Sequence, residues 1–357
     1  MRITVKKFND MHAHLRDRTM ITPCILPIQD NCMLYFVLVE CMEGYDHVLI
    51  MPNTTDPILN ATLVRAYRQD IKDVWSSAPE VSEFRPLMTM QITEQTTPAM
   101  IYEAREVVTA GKVYPRGMTT NSENGVLDYT LLRPIFAAME DVDMPVCLHG
   151  EKPGEFCLDR ELRFLGILAD IIERYPKLRI VLEHITTRTA VEFIKRAPAN
   201  VAATITAHHL LLTLDDVIGG HLHPHNFCKP VAKRYEDREA LREVVLSGHP
   251  RFFFGSDSAP WPRGRKECAD GCAGIFSAPS APALICEFLQ GDVQKINRFA
   301  NEFAAAFYRL PPTEEYITLE RWDGSPETAP QVTLNGPVEI FTGNDKGILP
   351  WCILSEE

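Results

Sequence analysis

Short apolar runs of strand length alternate along the chain with longer amphipathic stretches. The first run, residues 3–8, alternates apolar and polar positions and leads into Asp10-Met-His-Ala-His14-Leu-Arg16. Later runs occupy residues 47–51, 84–92, 112–115, 145–149, 179–184, 201–206 and 251–257. Helical periodicity fills the intervals. Residues 62–77 place Leu63, Tyr67, Ile71 and Val74 on one face. Thr97-Pro98 supplies an N-cap and a first-turn proline for a helix that ends before Gly111. Residues 129–142, 160–174, 189–196 and 238–246 continue the series. Strands that are apolar throughout are buried on both faces, which is the habit of a parallel sheet between helices. Eight strand–helix units predict an α/β protein with a closed (β/α)8 TIM barrel.

Around this frame, residues 119–125 read as a polar loop and 207–229 as a long one. Two helical stretches follow residue 280, then an irregular tail, 311–357, that is expected to pack across the barrel exterior. With no repeat or interdomain linker, residues 1–357 read as a single domain whose barrel core spans 1–310. Residues 19–45 do not fit. Pro23 and Pro27 interrupt any helix, the apolar stretch 32–41 has no clear period, and the segment is long for a strand-to-helix connection. It reads as an insertion or as a translated stretch foreign to the functional protein.

Strand alternation turns His12 and His14 to one side and Met11 and Ala13 to the other. In this fold active sites form at the C-terminal ends of the strands. Those ends carry His12 and His14 on the first strand, Lys112 on the fourth, His149 on the fifth, His184 on the sixth and Asp257 on the eighth. A strand-end histidine by itself is more often structural than a ligand. Four histidines and an aspartate on one rim offer the nitrogen and oxygen donors that zinc prefers, and more of them than one catalytic zinc with an open position would take. Two metals sharing a bridging ligand would use them all. A protonated Lys112 cannot ligate a cation, but its carbamate, formed with carbon dioxide, presents two oxygens that can bridge; the alternative is an ordinary salt-bridged lysine. Asp10 is placed to orient a histidine ring and Arg16 to meet an anionic substrate.

The composition, 45% hydrophobic and 24% charged over 357 residues, is that of a globular protein. A net charge of −12 weighs against nucleic acid or an anionic membrane as partner. The densest basic run, residues 263–266, has no interleaved aromatics and reads as a solvated loop or a small-anion contact. The first residues are too polar for a secretory signal, and the apolar run 33–39 is too short to span a bilayer. The ten cysteines are scattered and read as free thiols, so a cytoplasmic protein is expected. Cys268 and Cys272 lack the second pair that a structural zinc site would need.

The motifs together carry a resemblance. His12-Ala-His14-Leu-Arg16, Met51-Pro-Asn53, Lys112-Val-Tyr-Pro115 with Thr119-Thr-Asn-Ser, His149-Gly-Glu, Glu183-His184-Ile-Thr, Ala203-Thr-Ile-Thr-Ala-His-His-Leu210, Asn226-Phe-Cys-Lys-Pro230 and Gly255-Ser-Asp257-Ser-Ala-Pro260 run in the order seen in dihydroorotases. The sequence therefore resembles that family of the amidohydrolase superfamily, in its stand-alone bacterial and fungal form. The resemblance implies one Zn2+ on His12, His14 and Asp257, a second on His149 and His184, and an N6-carboxylated Lys112 bridging both. It implies reversible closure of N-carbamoyl-L-aspartate to L-dihydroorotate in de novo pyrimidine (UMP) biosynthesis, with Asp257 as general base and then general acid. Arg16 and Asn53 would hold the substrate carboxylate, Leu210 and Ala273 would contact the ring through backbone groups, and the Thr119-Thr120 loop would close over bound ligand. Stand-alone members are commonly homodimers.

One position departs from the pattern. Trp261 stands where the family has a histidine that helps bind the substrate carboxylate, and an indole donates one hydrogen bond without positive charge. Loss of such a contact costs ~1.5–3 kcal/mol in binding unless Arg263 or Arg265 compensates. Two other readings stay open at this point. One is a hydantoinase-like cyclic amidase whose substrate lacks the carboxylate, against which Arg16 and Asn53 argue. The other is a metal-binding but catalytically impaired homologue, for which Trp261 and residues 19–45 are the support.

Overall fold

The computed structural model describes residues 1–16, 44–77, 84–322, 338–344 and 347–354. The chain opens with β1 (Arg2–Lys6) and then enters an eight-stranded sheet whose strands neighbour one another in sequence order. These are β2 (Phe8–Ala13), β3 (Tyr45–Ile50), β4 (Arg85–Ile92), β5 (Ala110–Val113), β6 (Val146–His149), β7 (Ile180–Glu183), β8 (Val201–Ile205) and β9 (Phe252–Phe254). Every adjacent pair is parallel. The sheet closes where β2 meets the end of β9, through the parallel bridge Ala13–Ser258. There His14 N donates to Ser258 O at 2.9 Å and Asp257 N to His12 O at 2.8 Å. The expected (β/α)8 barrel is the observed fold.

The inward positions of the strands change character along the barrel axis. One apolar cluster gathers Met11, Leu49, Met51, Ala110, Cys147, Val181, Ala202 and Phe253 with Ala304 and Tyr308, so helix Phe303–Tyr308 plugs the N-terminal end. Two residues further along each strand, alternation returns the side chain to the same interior. Ala110 is thus followed by Lys112, Cys147 by His149, Val181 by Glu183 and Ala202 by Thr204. Val113, Leu148, Leu182 and Ala203 face outward into the second, larger core beneath the helices. The barrel is a packed apolar plug below and a polar rim above.

Several expectations need correction. The alternating run at residues 3–8 is not the first barrel strand. β1 pairs antiparallel with β10 (Tyr316–Arg321), which pairs with β11 (Trp351–Ile353), in a separate three-stranded sheet. Its alternation of exposed and buried residues is that of a sheet wet on one face, whereas every residue of β2 is buried. The tail expected to be irregular therefore supplies two strands. Met11 joins the barrel interior rather than opposing His12, because the β2–β3 register shifts between Asp10 and Ala13. This irregularity resets the alternation, so Met11 fills the plug while His12 and His14 still serve the rim. On helix Ala61–Ser77 the inward face carries Val64, Tyr67, Ile71 and Val74, and Leu63 is exposed. The loop expected at 207–229 contains helices Ala207–Leu211 and Asp215–Ile218. Of the anomalous segment 19–45, residues 19–43 lie outside the described residues, and Tyr45 opens β3. Among the described residues no helix is long and apolar enough to cross a membrane.

Candidate metal centre

Barrel closure determines the first half of the site. Because β2 and β9 bond at His12 and Asp257, the side chains at the ends of both strands converge. His14 Nε2 lies 3.2 Å and His12 Nε2 3.4 Å from Asp257 Oδ1. The rings then follow one another across the rim. Centroids are 5.3 Å apart for His14 and His12, 4.9 Å for His12 and His184, and 4.8 Å for His184 and His149. All four histidines and Asp257 are buried. Donor atoms of His12, His184 and Asp257 lie within 4.8 Å of one another.

Carboxylates the sequence reading left without a role hold the rings. Glu183 Oε2 pairs with His12 Nδ1 at 2.8 Å and accepts from Thr204 Oγ1 at 2.7 Å. Thr204 Oγ1 in turn accepts from the backbone N–H of His184 at 2.6 Å. Glu151 Oε2 pairs with His149 Nε2 at 2.8 Å. The legible signal was an acidic residue ending a buried strand or following it by two positions. Asp10, expected to orient a ring, instead fastens the barrel seam. Its Oδ1 accepts from the backbone of Ser256 at 2.7 Å and of His12 at 3.1 Å, and burial pushes its carboxyl up to about 7. The ring is oriented by Glu183 because that residue is the one whose side chain faces the interior beside His12.

The polar atoms of the rim are unequally satisfied. Among the described residues, His12 Nε2, His184 Nδ1 and Lys112 Nζ are buried without hydrogen-bond partners. Most buried polar groups are paired, so three orphans in one place call for an absent partner. Lys112 is fully buried, its Nζ 5.1 Å from the Tyr114 ring centroid, and burial holds its amine below the usual lysine range. Burial likewise keeps His12, His14 and His184 below the ordinary imidazole range, which leaves their rings neutral and able to donate a lone pair. Burial works against the charge of Asp257, but the hydrogen bond from His14 and the fields of His12, His14 and Lys112 together outweigh it, and the carboxyl titrates low. Neutral imidazoles, an ionised carboxylate and an amine without a hydrogen-bond partner are surroundings that suit a divalent cation. Three rim residues also take left-handed backbone: Arg16 at φ 67°, His184 at φ 40° and Asp257 at φ 45°. For residues with a Cβ this is strained geometry of the kind found at functional sites.

The residues expected to contact substrate have their own partners in the chain. Arg16 Nε donates to Pro260 O at 3.0 Å, and Arg16 Nη2 is buried without a partner among the described residues. Asn53 Nδ2 donates to Thr120 O at 3.1 Å, and Asn121 Nδ2 returns to the carbonyls of Asn53 and Thr54 at 3.1 and 2.9 Å. The loop bearing Thr119 and Thr120 is thereby docked on Asn53. Leu210 is buried in helix Ala207–Leu211. The Ala273 carbonyl accepts from Trp261 Nε1 at 3.0 Å. A further group of donors, His208, His209 and Cys228, clusters nearby. There His209 is bonded to Thr206 Oγ1 and Pro230 O, and Cys228 Sγ to Pro230 O, so two of the three donors are already satisfied by the chain.

The chain is similar to several known proteins. A family profile described as amidohydrolase matches residues 97–269. A dihydroorotase from Alkalilimnicola ehrlichii is 38% identical over 327 residues, covering 90% of this chain and 91% of that protein. The crystal structure of a dihydroorotase from Campylobacter jejuni superposes with a TM-score of 0.84 at 35% identity, covering 99% of this chain and 97% of the other. A dihydroorotase from Saccharomyces cerevisiae, in complex with 5-fluoroorotic acid, gives a TM-score of 0.83 at 32% identity, with 99% and 98% covered.

Proposed function

This chain belongs to the dihydroorotase family of amidohydrolases, and from that premise we propose how its own residues carry out the reaction. The activity is that of a cyclic amidohydrolase of pyrimidine biosynthesis, which interconverts N-carbamoyl-L-aspartate and L-dihydroorotate. The family is metal-dependent. In our reading the metals would be two Zn2+ ions, one held by His12, His14 and Asp257 and the other by His149 and His184, with carboxylated Lys112 as the ligand they would share. The observation that carries this is the set of buried donors without partners, His12 Nε2, His184 Nδ1 and Lys112 Nζ. Carboxylation adds the Lys112 amine to the carbon of carbon dioxide and releases one proton, which turns an orphaned donor into a ligand with two oxygens. When bound, the cations supply a water acidified toward neutral pH and an electrophilic contact for the ring amide carbonyl.

The chain's residues do the rest. Asp257, held ionised by its hydrogen bond to His14 together with the neighbouring His12 and Lys112, takes a proton at its carboxylate and returns it to the departing ring nitrogen. Glu183 and Glu151 fix the rings of His12 and His149 and so the direction of their free nitrogens. Arg16 meets the substrate carboxylate through its guanidinium edge and Asn53 through its amide. Leu210 and Ala273 border the ring, and the docked Thr119-Thr120 loop keeps water out. The protein works in the cytoplasm as a homodimer, as one compact domain.

The test is a zinc-loaded preparation assayed with L-dihydroorotate while bound metal is counted by mass spectrometry. Turnover with two zinc ions per chain is expected. Two ions without turnover would leave a metal-binding homologue that has lost catalysis, and turnover of hydantoins in preference to dihydroorotate would indicate a different cyclic amide. Sedimentation of the same sample gives the dimer or contradicts it.

A further inference from the structure

Trp261 replaces the histidine that the family pattern places against the substrate carboxylate, and its one hydrogen-bond donor is already engaged. Nε1 donates to the Ala273 carbonyl at 3.0 Å. What the indole has left to offer is its face, and the Arg16 guanidinium carbon lies 4.7 Å from the ring centroid. Trp261 is 8% exposed and Arg16 5%. Away from water, attraction between a cation and the negative face of an indole is at its strongest.

Arg16 is held from several sides. Its backbone is left-handed at φ 67°, and its carbonyl accepts from the Tyr67 hydroxyl. Nε is spent on Pro260 O at 3.0 Å. The guanidinium carbon lies over the Trp261 ring, and Nη2 stays buried with no partner among the described residues. Among those residues no carboxylate pairs with Arg16 either. The indole has a shaped seat: Gly274 lies at φ 147°, and a Cβ there would stand 3.0 Å from Trp261 Cδ1 and 2.4 Å from Ala259 O. Glycine at 274 is what lets the indole lie close to the backbone.

We propose that Trp261 is a positioning residue for substrate recognition: its face fixes the Arg16 guanidinium so that the Nη edge meets the substrate carboxylate, doing by stacking what a histidine would do by contact. The proposal rests on the reading that Arg16 binds that carboxylate.

The experiment is steady-state kinetics of the zinc-loaded enzyme with L-dihydroorotate for Trp261→Phe, Trp261→Met, Arg16→Gln and the double variant Trp261→Met/Arg16→Gln. Trp261→Met, which keeps bulk but no aromatic face, raises KM about tenfold with kcat within about twofold. Trp261→Phe, which keeps a face but cannot bond Ala273, recovers most of that loss. In the Arg16→Gln background Trp261→Met adds nothing further. The proposal is overturned if Phe is as poor as Met, if the loss falls on kcat, or if the two single effects multiply in the double variant. An Arg16→Gln enzyme with unchanged KM defeats the carboxylate reading along with the stack; a raised KM there beside an unchanged Trp261→Met defeats the stack alone. Should Trp261→Met fail to fold, fluorinated tryptophan weakens the ring quadrupole at nearly constant volume. KM then climbs with each added fluorine, and a constant KM contradicts the proposal.

Discussion

Glu161 and Asp257 are both buried acids near the C-terminal rim of the barrel, and they differ in how completely the chain itself satisfies them. Glu161, on helix Arg160–Arg174, accepts from Thr186 N at 2.9 Å, Thr186 Oγ1 at 2.7 Å, Thr187 N at 2.8 Å and the Thr187 hydroxyl. Four donors meet its two oxygens and nothing is left over. Around Asp257 the count fails, since His12 Nε2, His184 Nδ1 and Lys112 Nζ remain without partners among the described residues. Burial raises the Glu161 pKa, whereas at Asp257 burial is overcome by the His14 hydrogen bond together with His12 and Lys112, and the carboxyl titrates low. A closed polar network stiffens the fold, and one with unspent lone pairs is built around something the chain does not supply.

Substitutions on the two sides of this comparison should separate cleanly. Asp257→Ala removes a ligand and the proton carrier together, and kcat/KM for dihydroorotate should fall by ~10^4-fold with thermal stability nearly unchanged. Lys112→Met should cost on the order of 10^3-fold in kcat and lower the zinc count below two per chain. A variant that kept both metals would show that Lys112 bridges nothing. Glu161→Ala should do the opposite. It strands four donors and should destabilise by ~2–4 kcal/mol in denaturant titration, while kcat and metal content of the folded fraction hold. A loss of zinc in that variant would erase the distinction between the clusters. Asn53→Ala should have the smallest effect, a rise in KM of about tenfold or less from one neutral hydrogen bond. Unchanged KM would remove Asn53 from the substrate contacts.

Much of this is legible in the sequence. Strands apolar throughout, alternating with amphipathic helices, sufficed for the barrel, because inward and outward faces are both buried in that fold. The candidate ligands are legible because each ends such a strand. Three things were not. β1 looked like the entry strand because its alternation is real, and only its partner, Tyr316–Arg321, reveals a different sheet. The role of Glu183 was hidden because which way a strand-end side chain points depends on the register of its neighbours, and in β2 that register shifts. Asp10 was misassigned for the same reason: adjacency in sequence suggested a ring partner, while closure of the barrel turned its carboxylate to the backbone of Ser256.

Trp261 lies between the two kinds of cluster. Its donor is closed off by Ala273, like those around Glu161, yet it rests against an Arg16 whose Nη2 is open, like those around Asp257.

The central claim, that the unspent donors of the rim belong to two metals and a carboxylated lysine, is tested most directly by anomalous diffraction at the zinc edge from crystals of the zinc-loaded protein. The account predicts two anomalous peaks per chain, one beside His12, His14 and Asp257 and one beside His149 and His184, with carbamate density continuous from Lys112 Nζ between them. A single peak, or two peaks beside a bare Lys112 amine, would contradict it.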